Sequence, residues 1–155
     1  MHELSKRDAR RIAVRAQLLD RERPASLHDV VRHLTLLQHD ITAAVAPSAD
    51  LVAWSRLGSA YEPKELEAAL DNHTLISLHG MIRPRADLPL YRAEMRQWAT
   101  PGVFEGWRLE VQEWVRANDV CRRDILERLE YDGPLPTSAF PDSCVVKWGS
   151  SGWND

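Results

Sequence analysis

A mainly α-helical protein with one short β-hairpin is the fold class this sequence predicts, and three observations predict it. Between residues 5 and 72, apolar residues recur at helical spacing in four runs, each opened by Ser or Pro. Residues 73–84, "HTLISLHGMIRP", alternate apolar residues and end in Pro84, which reads as a hairpin or two short strands around Gly80. Helical spacing resumes after residue 87 and again after residue 118, so a second cycle begins. Helices followed by a hairpin are the order of a winged helix, in which one helix lies on DNA and the hairpin wing touches the neighbouring backbone or minor groove. The expectation is a winged-helix unit over residues 1–100, with a three-helix core and a hairpin wing. A connecting helix over 101–117 and a second, truncated winged-helix unit over 118–155 follow it.

Each element has a local cause. Ser5 with Asp8 is an N-cap followed by an acid, and Ala9, Ile12, Ala13, Ala16 and Leu19 then share a helix face, with Pro24 as the stop. Ser26 caps a second helix that turns Val30, Val31, Leu34 and Leu37 inward, and Asp29 sits near the positive end of its dipole. Pro47-Ser48 opens a third helix with Leu51, Val52, Trp54 and Leu57 apolar, closed by Gly58. Pro63 opens a short fourth with Leu66, Ala69 and Leu70 inward. Beyond the hairpin, "DLPLYRAEMRQWA" and "EGWRLEVQEWVRAN" read as helices, with Trp98, Trp107 and Trp114 as core residues. "NDVCRRDILERLEYDG" is a capped helix ended by Gly133, and a further helix is expected to start near Ser150 or Asn154. Trp148 and Trp153 flank "GSSG", where they would pack what is missing from the second unit.

Composition narrows the function classes. Hydrophobic content of 44% with 28% charged residues is that of a globular chain, and no run has the length or apolarity to cross a bilayer. The N-terminus carries charges where an export signal would be apolar, which points to a cytoplasmic protein. Cys121 and Cys144 are too few and too far apart in sequence for a disulfide framework or zinc site. His28 and His33 fall on different faces of one helix, so no metal is expected. The net charge of −3 hides local basic stretches: Lys6, Arg7, Arg10, Arg11 and Arg15, then Arg83, Arg85, Arg92 and Arg96. These are either phosphate contacts or solvated helix faces.

The stretch Gln38-His39-Asp40 raises a chemical question, because an amide and a carboxylate stand two apart where a buried helix ends. On a helix they would diverge by about 200°, whereas in extended backbone residues i and i+2 point to one side. Cooperation therefore requires the helix to end at or near Gln38, with 38–40 extended and His39 facing the other way, towards DNA or solvent. The bland alternative is bookkeeping, with Asp40 capping the next turn and Gln38 bonding a free carbonyl at the helix end.

"LSKRDARRIAVRAQLL", "LTLLQHDITAAVAPSADLVAWSRLG", "MIRPRADLPLYRAEM", "NDVCRRDILERL", "GPLPTSAFPD" and "WGSSGWND" resemble, in this order, blocks of the bacterial tandem winged-helix family related to the AlkZ and YcaQ DNA glycosylases. The resemblance runs over essentially the whole chain. It implies an N-terminal fragment of a longer protein, and excision of N7-alkylated purines or unhooking of crosslinks without a cofactor. The family motif is Gln, an apolar residue, then Gln or Asp, so the resemblance implies Gln38 and Asp40 as catalytic residues. His39 departs from the apolar middle position. Double-stranded, alkylated or crosslinked DNA is the implied partner. His39, together with His79, Arg83 and Arg85 of the wing, is expected to touch it. The alternative is a non-catalytic winged-helix DNA-binding protein or transcription regulator, and a third reading is a module for protein contacts.

Overall fold

The computed structural model describes residues 3–40 and 42–149. Ile41, the helix start expected near Ser150 or Asn154, and Trp153 lie outside the described residues. The chain divides into two compact units, residues 1–92 and 93–155.

In the first unit the elements run α1 (Lys6–Ala16), α2 (Leu27–Leu34), β1 (Leu37–Gln38), α3 (Ser48–Leu57), α4 (Pro63–Asp71), β2 (Leu75–Leu78) and β3 (Met81–Pro84). From α2 onward this is a winged-helix arrangement. The small antiparallel sheet has the order β1-β3-β2 and is not closed into a barrel. Ser5 and Ser26 cap their helices as expected, each accepting the N–H of the residue three on, at 3.2 Å.

Two helix ends differ from the sequence expectation. α1 stops at Ala16 rather than running to Pro24, because the chain turns through Leu18 with φ 55°. α2 stops at Leu34, where Thr35 takes a left-handed conformation with φ 70°. Leu37 is buried as expected, but from β1 rather than from the helix.

A β-branched residue at positive φ stores strain, about 1–2 kcal/mol for an L-residue in this region, whereas Asn is tolerated there. Thr35→Asn is therefore expected to raise the melting temperature by a few degrees, at roughly 4–8 °C per kcal/mol for a unit of this size. A thermal melt followed by circular dichroism checks it; an unchanged or lower midpoint contradicts it.

The core is one cluster in which Val30 and Val31 of α2, Leu75 of β2 and Ile82 of β3 are fully buried. α3 contributes Ala49, Ala53 and Leu57, a stripe at four-residue spacing. Leu51 and Trp54, the large apolar residues of this helix, are 46% and 59% exposed. Small residues on the inner stripe let α3 approach closely, and the larger side chains fall on the outer side. Tyr61 is buried and its hydroxyl donates to Asp50 Oδ1 at 2.5 Å. Burial first, and then this bond to a carboxylate, pushes the phenol above its ordinary pKa.

A 3-10 stretch, Arg85–Tyr91, leads into α5 (Arg92–Ala99), where the two units meet along the chain. The second unit holds α6 (Trp107–Ala117) and α7 (Asp119–Asp132). Trp98 packs against Phe104, with ring centroids 4.6 Å apart. Trp107 is 64% exposed, so it is not the core residue its spacing suggested. The buried Gln112 amide donates to the carbonyls of Trp98 and Thr100 at 2.8 and 3.0 Å, tying the end of α5 to α6. Asn118 acts as a side-chain strand: its Nδ2 donates to Val146 O and its Oδ1 accepts the Val146 N–H. Trp148 stacks edge-on against Trp114, with centroids 5.6 Å apart. Folding also brings the two free thiols, distant in sequence, to 3.6 Å between sulfurs.

Candidate nucleic-acid interface and the Gln-His-Asp segment

The segment after α2 is straightened by the sheet. Leu37 lies opposite Ile82 and Gln38 opposite Met81, and the His39 N–H donates to Gly80 O at 2.7 Å, carrying the pairing one residue further. Strand alternation then separates the side chains. Leu37 turns to the core with Ile82, while Gln38 is exposed on the opposite face. His39 returns to the Leu37 face, where its Nδ1 lies 2.7 Å from Ser77 Oγ; Ser77 is the cross-strand neighbour of Ile82. The imidazole is exposed but held by this bond.

Asp40 follows, partly buried. Its Oδ1 accepts the Thr42 N–H at 2.8 Å, closing a local turn. That backbone bond first, and then the Thr42 side chain, hold the carboxyl below the ordinary aspartate value, against the opposing effect of desolvation. Asp40 is thus ionised at neutral pH. Because the folded value is depressed, the bond's contribution is complete above the ordinary aspartate value of about 3.9 and is lost as pH falls through the lower folded value. An NMR titration of the Asp40 carboxyl carbon is expected to give a midpoint below that figure, with the Thr42 amide shifting in step. A midpoint at or above it contradicts the assignment.

The structure does not bring Gln38 and Asp40 to one concavity. Gln38 lines a hollow with Ala16, Gln17, His33, Val52 and Arg56. Asp40 lines another with His39, Asp50, Lys64, Leu66 and Glu67, and the two hollows share no lining residue. The Gln38 carbonyl accepts from Ser48 Oγ at 3.2 Å, while its side-chain amide makes no hydrogen bond among the described residues.

Arg56 is a tie between helices rather than a free cation. Its Nε donates to Gln17 O at 3.1 Å and its Nη1 to Ser55 Oγ at 2.7 Å.

The wing is a tight hairpin. His79 and Gly80 both have positive φ, 53° and 69°, the conformation that joins adjacent strands through two residues. His79 is exposed at the tip. Arg83 is not at the tip; it pairs with Ile76, three residues (about 10 Å) down the strand. Its Nη1 donates to Tyr91 Oη at 2.6 Å, and its guanidinium stacks 4.9 Å from the Tyr91 ring centroid. Arg85 is exposed beyond the far end of β3, its N–H bonded to Thr74 O. The wing residues named from sequence are therefore distributed along the hairpin, with one imidazole at the end.

The helix that precedes the hairpin, the position that lies on DNA in this fold, is α4. It is acidic, with Glu65, Glu67 and Asp71 against Lys64, and it follows a Glu62–Glu65 capping box.

Sequence reasoning expected extended backbone at 38–40 but not the pairing of β1 with β3, because two residues give no alternation to read. It also missed the thiol pair, which only tertiary packing creates. Among the described residues no group of three His, Cys, Asp or Glu side chains could hold a metal ion, and no helix is long and apolar enough to cross a membrane.

A protein-family model described as DNA glycosylase AlkZ-like matches residues 31–155. No solved structure matches the chain.

Proposed function

The chain belongs to the AlkZ-like DNA glycosylase family, and from that premise we propose that it binds double-stranded DNA and hydrolyses the N-glycosidic bond of alkylated purines. One observation carries the reading within that family. At the end of the strand beside the wing stands an ionised carboxylate, Asp40, held in place by the Thr42 N–H.

The chemistry asks for such a group. An N7-alkylguanine is cationic, so breaking the bond to C1′ sends the bonding pair to the base, which leaves neutral, and places positive charge on the deoxyribose. A fixed carboxylate stabilises that charge more than it stabilises the ground state. Water then bonds to C1′ and gives its proton to Asp40. No cofactor enters this sequence. Gln38 is the amide that would orient the water, since it both donates and accepts. His39, His79, Arg83 and Arg85 remain the proposed contacts to DNA, with Arg83 acting from the flank of the wing. The protein is proposed to work in the bacterial cytoplasm, in base-excision or crosslink repair.

A second reading, a non-catalytic winged-helix DNA-binding protein, is favoured by the separate hollows of Gln38 and Asp40. One assay divides them. The chain is incubated with a duplex containing N7-methyl-2′-deoxyguanosine, and abasic sites are revealed by alkaline strand scission. Scission at the methylated position supports hydrolysis; duplex binding without scission supports the second reading.

A further inference from the structure

One helix, α1, carries more net positive charge than any other helix of the chain, and the family match begins beyond it, at residue 31. α1 holds Lys6, Arg7, Arg10, Arg11 and Arg15 against Asp8, a charge of +4, so with a total of −3 the remaining residues sum to −7. No residue of α1 is buried. Arg15 is paired with Asp20, while Lys6, Arg7, Arg10 and Arg11 make no ion pair among the described residues. At 100° per residue these four fall within an arc of about 140°, a single cationic face. Only the C-terminal end is tied to the rest of the unit, through Ala16 O 3.1 Å from His33 Nε2 and Gln17 O bonded to Arg56. That end lines the hollow holding Gln38.

We infer that α1, rather than the acidic α4, is the surface that engages the phosphate backbone of duplex DNA, with Lys6, Arg7, Arg10 and Arg11 as the contacts. The inference rests on the DNA-binding reading above and adds where the backbone is held. Charge complementarity selects the partner. A repeating line of phosphates rewards several cations on one face, each contact releasing condensed counterions, while Glu65, Glu67 and Asp71 of α4 repel the same line. An anionic membrane surface is the competing partner. It asks for a deep apolar face opposite the cations; α1 offers mainly alanines there, Ala9, Ala13 and Ala16, with Ile12 the one large apolar side chain, since Val14 falls among the cations.

The test is fluorescence anisotropy of a labelled, undamaged 20-base-pair duplex with the 155-residue chain, between 50 and 200 mM NaCl. The variants are R7Q/R10Q/R11Q in α1 and H79A/R85Q in the wing. All five side chains are exposed, and equal melting temperatures verify the fold. With about three phosphate contacts removed, the α1 variant is expected to flatten the log–log salt slope by about 3 and to weaken binding at 50 mM salt by one to two orders of magnitude. An unchanged slope and affinity in the α1 variant, with loss in the wing variant, overturns the assignment of α1 and leaves the DNA-binding reading standing. Failure of the wild-type chain to bind the duplex overturns both. Binding by α1 to phosphatidylglycerol vesicles with no α1-dependent duplex binding overturns it in favour of a membrane.

Discussion

Asp40→Asn is expected to slow release of an N7-methylated purine by about 10²–10³-fold, the scale found when one preorganised electrostatic group is removed from a reacting centre. The substitution is nearly isosteric. The Asn carbonyl oxygen can still accept the Thr42 N–H that Asp40 Oδ1 now accepts, so the local turn survives. What disappears is the negative charge proposed to face the sugar as it becomes positive. Duplex affinity should hold or rise slightly, because a charge that repels phosphate has been removed; anisotropy on the same variant measures this. Release at the wild-type rate would remove Asp40 from the chemistry and, with it, the main support for hydrolysis. Gln38→Ala is a useful companion. Its hollow is distinct from that of Asp40, so a loss comparable to that of Asp40→Asn would mean that the amide swings across the strand when DNA is bound.

Ile82→Ala is expected to give the largest loss of stability. Ile82 is fully buried on the central strand, opposite Leu37 on one side and Ser77 on the other. Truncating a buried Ile to Ala costs about 2–5 kcal/mol through lost transfer energy and the cavity left behind. A small unit melts roughly 4–8 °C lower per kcal/mol, so the midpoint should fall by at least about 8 °C. The exposed Leu51 on α3 provides the contrast, since Leu51→Ala should change stability by no more than about 0.5 kcal/mol. A loss at Ile82 no greater than that at Leu51 would mean that the sheet is not packed as described. Because β3 also supports β1, the same variant should loosen the His39–Gly80 pairing, measurable as faster amide exchange at His39.

Much of this architecture was legible in the amino acids, and the reasons are local. Ser5, Ser26 and Pro63 mark helix starts because their effect is confined to one turn. Gly80 marks the hairpin because glycine takes the positive φ that its tight turn requires. Val30, Val31, Leu66 and Ala69 lie inside, as their spacing indicated. The failures are non-local. Leu51 and Trp54 are apolar at helical spacing, yet the smaller Ala49 and Ala53 take the inner face. β1 exists because β3 has a free edge, a fact about the partner strand rather than about Leu37-Gln38. The thiols of Cys121 and Cys144 meet because residues 144–148 fold back on α6 and α7.

The candidate site shows the same division. Extended backbone was expected at 38–40, and strand pairing is found at Leu37, Gln38 and His39, supplied by the edge of β3. Which hollow each side chain then lines depends on neighbours far along the chain, Arg56 and His33 for Gln38, Lys64 and Glu67 for Asp40. The destiny of Arg83 was hidden for a similar reason, since nothing in its own surroundings in sequence announces that Tyr91 will receive it.

The closeness of the turn at His79-Gly80 sets a ceiling on what the hairpin can do. Two residues leave no loop beyond the strands, so what the tip presents is limited to the His79 side chain and the strand ends beside it. Grafting extra residues at this corner is therefore the most direct route to lengthening what the hairpin can present.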